Sequence, residues 1–335
     1  MRSRKILPYY HPSTVIFVDD NERFLDSFTL LLSERLAFRC FSSTSSALSF
    51  INNSGALPPL DKRCASFLGT QHRPGGTLRL DLALVEQEIS NPERFRDISV
   101  VVVDYDMPEM NGLDFCQAIQ NRRIKKVLLT GVGDEKVAVR AFNDGLIDRF
   151  LTKNDPQISD KINQTINDLQ RRYFDDISSL IQSALEMKSP EFLLEPEFIS
   201  LFENIVEKHD IVEYYYVEDP NGFLMVSHQG DLYRLVIFSE SQAEEQIFSI
   251  RKYAPPQDVI RKLKSHRAVI WLWEQPDSND ETEHFDWNEY VHSAQTFHGR
   301  KPWIYALVEN PPADIEYSES ESSYSAHLRS IDQSG

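Results

Sequence analysis

Apolar and polar positions fall into blocks of two kinds along this chain. Thr14-Val15-Ile16-Phe17-Val18 and Val100-Val101-Val102-Val103 are unbroken apolar runs, the pattern of strands buried on both faces as in parallel sheets. Lys126-Val127-Leu128-Leu129-Thr130-Gly131 and Asp148-Arg149-Phe150-Leu151-Thr152-Lys153 read as two further strands. Between them apolar residues return at helical spacing: Phe24, Phe28, Leu31, Leu32 and Leu36 after the first run, and Leu113, Cys116, Ala118 and Ile119 after Gly112. Residues 134–143 read as another helix, stopped by Gly145 at a left-handed cap. Alternating strands and helices predict a parallel α/β sheet with crossover helices.

From Asp155 the pattern changes. Ile158, Ile162, Ile166, Leu169, Tyr173, Ile177 and Leu180 recur at steps of three or four, and Ala184 continues the series. This predicts a long connecting helix over residues 156–189, ended by Pro190. Its narrow apolar seam, flanked by Asp168, Arg171, Arg172, Asp175 and Asp176, suits a coiled-coil homodimer; the alternative is a helix buried against its own domain. A further helix is expected over residues 196–208. Three β-rich runs follow at 212–217, 223–227 and 232–238, joined by Asp219-Pro220-Asn221-Gly222 and His228-Gln229-Gly230-Asp231, and read as an antiparallel meander. A helix at 256–265 with a strand at 268–273, then a helix at 287–294 with a strand at 303–308, complete an α+β domain over residues 190–310. The polar, acidic tail 311–335 is expected to be disordered.

Charge sharpens this division. Basic and acidic residues balance through residue 155, so the whole net charge of −17 falls beyond it. An acidic second domain lacks the basic stripe that neutralises phosphates, so direct DNA binding is not expected. Arg261, Lys262, Lys264 and Arg267 are its one basic cluster and read as a solvated helix face. His284, His292 and His298 share no helical face, so they do not form a metal set. Tyr214-Tyr215-Tyr216 and Trp271, Trp273, Trp287 and Trp303 read as core. Cys40, Cys64 and Cys116 show no disulfide or metal spacing, and no apolar stretch is long enough for a membrane span. The expectation is a cytoplasmic protein without a membrane partner.

Two of the strand runs end in acids. Asp104 closes the valine run and opens Asp104-Tyr105-Asp106-Met107-Pro108-Glu109-Met110-Asn111-Gly112, while Asp19-Asp20 closes the first run. Parallel sheets build their sites at such carboxyl ends. Three carboxylates on one edge repel each other, so they either share protons or bind a cation. With oxygen donors and no His or Cys beside them in sequence, the cation expected is Mg²⁺, which also accepts phosphate oxygens. The third run ends in Thr130 and the fourth in Lys153. Acid, hydroxyl and cation together make a pocket for a phosphoryl group carried on a carboxylate. Taken singly, each residue reads equally as ordinary structure, and Asp20 would serve as a helix N-cap alone.

With these residues in this order, residues 13–155 resemble the receiver domain of a two-component response regulator. The resemblance implies a doubly wound α/β fold with five parallel strands. It implies Asp104 as phosphoacceptor, with Asp19, Asp20, Asp104 and the backbone carbonyl of Asp106 around Mg²⁺. It also implies Thr130 as the switch hydroxyl, Lys153 as the ion pair to phosphate and Phe150 as the aromatic rotamer switch. The phosphoryl donor would be a sensor histidine kinase or phosphotransfer protein. Two features depart from the pattern. Asn154 stands where receivers usually carry a cis proline; a non-proline cis bond costs ~3 kcal/mol, so a trans bond is expected and the reach of Lys153 is the point to test. The second departure is an insertion over about residues 53–97.

Asn91-Pro92-Glu93-Arg94-Phe95, Leu129-Thr130-Gly131, Ala141-Phe142-Asn143-Asp144-Gly145 and Ile211-Val212-Glu213-Tyr214-Tyr215 are similar to an atypical response-regulator family that includes a Legionella quorum-sensing regulator. In that family a receiver with an insertion is joined to an output domain that is not a recognisable DNA binder. The expected layout is an N-terminal extension over 1–12, the receiver, the connecting helix, an α+β output domain with an antiparallel sheet, and the tail. The expected function is phosphorylation on Asp104, signalling through dimerisation and an unknown protein partner of the output domain. The rival is a receiver-gated phosphatase or nuclease, which a pocket gathering Glu213, Glu218, Asp219 or Asp231 would favour.

Overall fold

The computed structural model describes residues 5–54, 58–68, 77–131, 133–188, 190–272, 286–312 and 317–332. They form two compact units. The first, the receiver unit, is built from Tyr10–Ser66, Asn91–Leu180 and Ala326–Gly335. Its sheet is parallel and five-stranded: β1 (Thr14–Val18), β2 (Phe38–Phe41), β3 (Ile98–Asp104), β4 (Lys125–Thr130) and β5 (Arg149–Thr152) lie in the order β2-β1-β3-β4-β5. All five residues of β1 and all seven of β3 are buried, as two-sided strands require. Helices cover both faces: α1 (Glu22–Thr29), α2 (Thr44–Asn53), α3 (Gly112–Ala118), α4 (Glu135–Asn143) and α5 (Ile158–Ile177). The doubly wound fold expected of the first half is the one observed.

The seam is a correction. Ile162, Ile166 and Leu169 are at most 1% exposed and pack with Val15, Phe17, Val100, Val102 and Val127 in one core cluster, with Ile158 half-buried against it. Tyr173 and Ile177 are buried as well, and Leu180 alone of the seven is exposed. The seam covers the receiver sheet and leaves no coiled-coil interface. A helix crossing a sheet and a helix crossing its twin present stripes of nearly the same period, so spacing alone does not separate them. The connecting helix is also broken: Ser178 ends α5, its hydroxyl donating to the Phe174 carbonyl, and α6 (Ser179–Lys188) follows.

The second, output unit comprises Met1–Tyr9, Phe67–Ser90 and Ile181–Ser325. Its main sheet is antiparallel: β6 (Ile211–Val217), β7 (Gly222–Ser227), β8 (Leu232–Ser239), β9 (Gln295–His298) and β10 (Pro302–Glu309), with Tyr9–Tyr10 on the edge beside β6 and an order of β6-β7-β8-β10-β9. The meander at 212–238 stands where it was expected, behind α7 (Pro196–Lys208). Gly222 closes its first turn at φ 152°, where a Cβ would lie 1.9 Å from the Leu235 carbonyl oxygen. Helices α8 (Glu240–Ser249) and α9 (Gln257–Lys264) pack on each other beside a two-stranded ribbon, Ala268–Ile270 with Val291–Ser293.

Four expectations change here. Part of the N-terminal extension joins the output sheet: Tyr9–Tyr10 lies on its edge, and the Tyr216 N–H donates to the Pro8 carbonyl (2.7 Å). The insertion is divided: residues 91–97 stay with the receiver, where the Thr14 hydroxyl donates to the Phe95 carbonyl, while a strand (Thr77–Leu80) and a helix (Ala83–Gln87) that packs on β6 belong to the second unit. The helix expected at 287–294 stops at Tyr290, because Val291–Ser293 pairs in the ribbon; the strand before it ends at Ile270, and Trp273 and His284 lie outside the described residues. The tail is helical at Glu319–Ser322 and Tyr324–Asp332, with Tyr324 buried. Tyr324, Leu328 and Ile331 keep helical spacing that the neighbouring Ser-Glu run obscures; within the tail, residues 313–316 and 333–335 lie outside the described set.

Candidate functional site

The carboxyl ends of β1, β3, β4 and β5 bring the receiver residues together. Asp104 is the last residue of β3; the following Tyr105 N–H donates to the Leu129 carbonyl on β4, and the Gly112 N–H donates to the Tyr105 carbonyl. Gly112 starts α3 directly against the acid: a Cβ there would lie 2.3 Å from the Asp104 carbonyl oxygen. Only glycine permits that approach. Asn111 caps the helix by accepting from the Leu113 and Asp114 N–H groups.

Asp19 and Asp20 follow β1. Asp19 is buried, takes the Asn21 N–H on Oδ1 (3.0 Å), and leaves Oδ2 to the lysine; Asp20 is exposed. Asn21, not Asp20, caps α1, accepting from the Phe24 N–H. One oxygen from each of Asp19, Asp20 and Asp104 lies within 4.8 Å of the others. At an effective dielectric of ~20, two carboxylates at that distance repel by about 3 kcal/mol, a repulsion that a cation between them relieves. Lys153 supplies part of this: its Nζ lies 2.6 Å from Asp19 Oδ2 and 2.9 Å from Asp104 Oδ1. The Lys153–Asn154 bond is trans, and the lysine reaches both acids without the cis proline. Its backbone N–H bonds to the Thr130 carbonyl, fixing the end of β5 on β4.

The electrostatics follow from this packing. Burial pushes the Asp104 carboxyl above the usual carboxylate range; the Lys153 hydrogen bond opposes this, the Asp19 charge adds to it, and the net shift is upward. For Lys153, burial pulls the ammonium down, but the hydrogen bonds it donates to Asp19 and Asp104 outweigh it and the net shift is again upward. A set of three hard oxygen donors beside an open edge fits Mg²⁺, which retains waters and accepts phosphate.

Thr130 is fully buried and its hydroxyl donates to the Leu151 carbonyl at 3.4 Å, the outer limit of a hydrogen bond. Phe150 is half-buried against the cluster of Val101, Val103 and Leu128. Asp106 is exposed. One participant escaped the sequence reading: the Phe24 ring, placed among core positions of α1, lies 4.3 Å from Lys153 Nζ in a cation–π contact. Helical spacing marks Phe24 as apolar but carries no sign of the lysine, which is distant in sequence.

The acids named for an enzymatic output do not gather. Glu213 is fully buried and accepts from the Tyr215 hydroxyl (2.7 Å), Asp231 accepts from the Ser227 hydroxyl, and Glu218 and Asp219 are exposed at the β6–β7 turn.

Comparison with known proteins agrees with this geometry. The response regulator receiver domain family matches residues 85–165. The solved structure of the Legionella pneumophila response regulator LqsR matches at 33% identity and a TM-score of 0.75, covering 98% of this chain and 97% of that one. An adenylate cyclase structure from Rhodopirellula baltica matches at 22% identity and a TM-score of 0.35, over 53% of this chain and 98% of that one. No curated protein matches.

Proposed function

The chain belongs to the response-regulator family that includes Legionella pneumophila LqsR, and on that premise we propose that it takes a phosphoryl group from a histidine kinase or phosphotransfer protein onto Asp104. The observation that carries this is the meeting of Asp19, Asp20, Asp104 and Lys153 at one sheet edge. An Asp104 carboxylate oxygen attacks phosphorus, the P–N bond of the donor phosphohistidine breaks, and the imidazole leaves with the electron pair. Asp19, Asp20, Asp104 and the Asp106 carbonyl would hold Mg²⁺, which neutralises phosphoryl oxygens when bound. Lys153 remains as the ion pair to the phosphoryl group. Thr130, whose present hydrogen bond is long, exchanges the Leu151 carbonyl for a phosphoryl oxygen, and Phe150 repacks with it.

Phosphorylation adds about two negative charges beside α4. This helix exposes Val137, Val139 and Phe142, between 39% and 44%, and becomes the proposed homodimer face now that the α5 seam is covered. The output then acts through a protein partner and not DNA, in keeping with the acidic second half. Similarity to LqsR supports a role in quorum sensing. No helix among the described residues is long and apolar enough to cross a membrane, in keeping with a cytoplasmic place beside the donor kinase. The test is labelling by acetyl phosphate: it should require a divalent cation and vanish in Asp104→Asn, and label persisting in that variant would reject the assignment.

A further inference from the structure

We propose that the output unit carries a binding site for a small organic cation, an ammonium or guanidinium group on an apolar body. The site is a cavity of about 360 Å³ between α8, the β6–β7 turn and the strand end at Ile270, within the size range of small-molecule sites. Phe238, Ile250 and Trp271 form its apolar wall, while Asp219 and Glu245 are its carboxylates.

The chemistry of the lining selects the ligand. No lysine, arginine or histidine is among the described residues that line it, so an anion finds no counter-charge there. Of the three side-chain amides, Gln246 donates to the Ile270 carbonyl (2.6 Å) and accepts from the Ile270 N–H, while Gln242 and Asn221 are held through their oxygens, accepting from the Ser239 N–H and the Tyr216 hydroxyl. Of the two carboxylates, Glu245 is unpaired among the described residues and Asp219 faces a buried arginine. Glu245 is exposed and makes no hydrogen bond or ion pair among the described residues. Asp219 acts on the buried Arg234 guanidinium, which does not line the cavity, donates to the Pro220 and Leu235 carbonyls, and lies 5.7 Å from the Trp271 ring.

A metal ion is a poorer occupant. Among the described residues only Asp19, Asp20 and Asp104 form a group of three metal-capable side chains, and a hydrated ion gains nothing from Trp271 or Phe238. An organic cation uses both walls, pairing with carboxylate on one side and resting on an aromatic face on the other. The net charge of −17, all beyond residue 155, attracts cations toward this half at range.

The probe is phenethylamine, titrated into the full chain by calorimetry at low ionic strength, beside phenethyl alcohol and phenylacetate on the same carbon skeleton. Saturable binding of the amine in the millimolar range or tighter is expected, at least ~10-fold tighter than the alcohol, with no binding of phenylacetate. Glu245→Gln, an exposed change that leaves folding untouched, should weaken the amine several-fold, and Asp219→Asn with Glu245→Gln about 10-fold. Binding of the alcohol as tight as the amine, unchanged affinity in the double variant, or no saturable binding of the amine would each overturn the proposal. So would displacement of the amine by Mg²⁺ at matched ionic strength, which would mark a metal site instead.

Discussion

Replacing Lys153 by methionine removes the single cation that separates two buried carboxylates. With Nζ at 2.6 Å from Asp19 and 2.9 Å from Asp104, each attraction is about 6 kcal/mol at an effective dielectric of ~20, against about 3 kcal/mol of repulsion between the acids. These gross terms are offset by desolvation, and removing one partner of a buried ion pair costs ~3–5 kcal/mol in practice. The lysine side chain is 20% exposed, which screens part of this, so about 2–3 kcal/mol is expected at neutral pH. The pH dependence has a definite sign. The raised Lys153 pKa means its stabilisation is complete below about 10.5 and lost as pH rises through the folded value. Lys153→Met should therefore lack that alkaline step. The raised Asp104 pKa is a cost at neutral pH that is relieved as pH falls toward 3.8, so the deficit of the variant should shrink on acidification. Urea denaturation followed by circular dichroism, with and without Mg²⁺, reads both effects. Since Mg²⁺ replaces the missing positive charge, it should stabilise the variant more than the wild type. Equal stabilisation, or a variant as stable as wild type at pH 7, would refute the electrostatic reasoning.

Other variants probe other links. Ile166→Ala empties a fully packed position under β1 and β3 and should cost ~2–5 kcal/mol, read by the same denaturation, with no change in mass by light scattering; a clean loss of dimer would restore the seam. Gly112→Ala forces a methyl toward the Asp104 carbonyl and should cost ~1–3 kcal/mol while slowing labelling by acetyl phosphate, and wild-type behaviour in both would remove the close approach from the argument. Phe142→Glu, on the exposed face of α4, should abolish phosphorylation-dependent dimerisation in light scattering and leave labelling of Asp104 intact. Mobility-shift titration at physiological salt should find no saturable binding of duplex DNA by the full chain.

The receiver was legible because each strand run ends in a residue with chemistry of its own. Val100 to Val103 fixed β3 and hence Asp104, and the order of acid pair, acid, hydroxyl and lysine carried the rest. Contacts between distant segments were not legible: Phe24 against Lys153 belongs to two separate apolar patterns. The seam misled for a physical reason, since Ile162, Ile166 and Leu169 have the period of a dimer helix and the burial of a domain helix. The α5–α6 break at Ser178 is invisible in that period because the apolar series continues through it. In the output unit the meander showed through its turns, but β9, whose residues alternate weakly, did not, nor did the pairing of the N-terminal residues with β6.

The most direct test is the chemical location of the phosphoryl group. Protein treated with acetyl phosphate and Mg²⁺ is reduced with borohydride, which converts an aspartyl phosphate to homoserine, and the digest is mapped by mass spectrometry. Homoserine at position 104, absent from untreated protein and from protein treated without divalent cation, is the predicted result. Homoserine at another acid, or none at position 104 in protein that carries the label, would contradict the account.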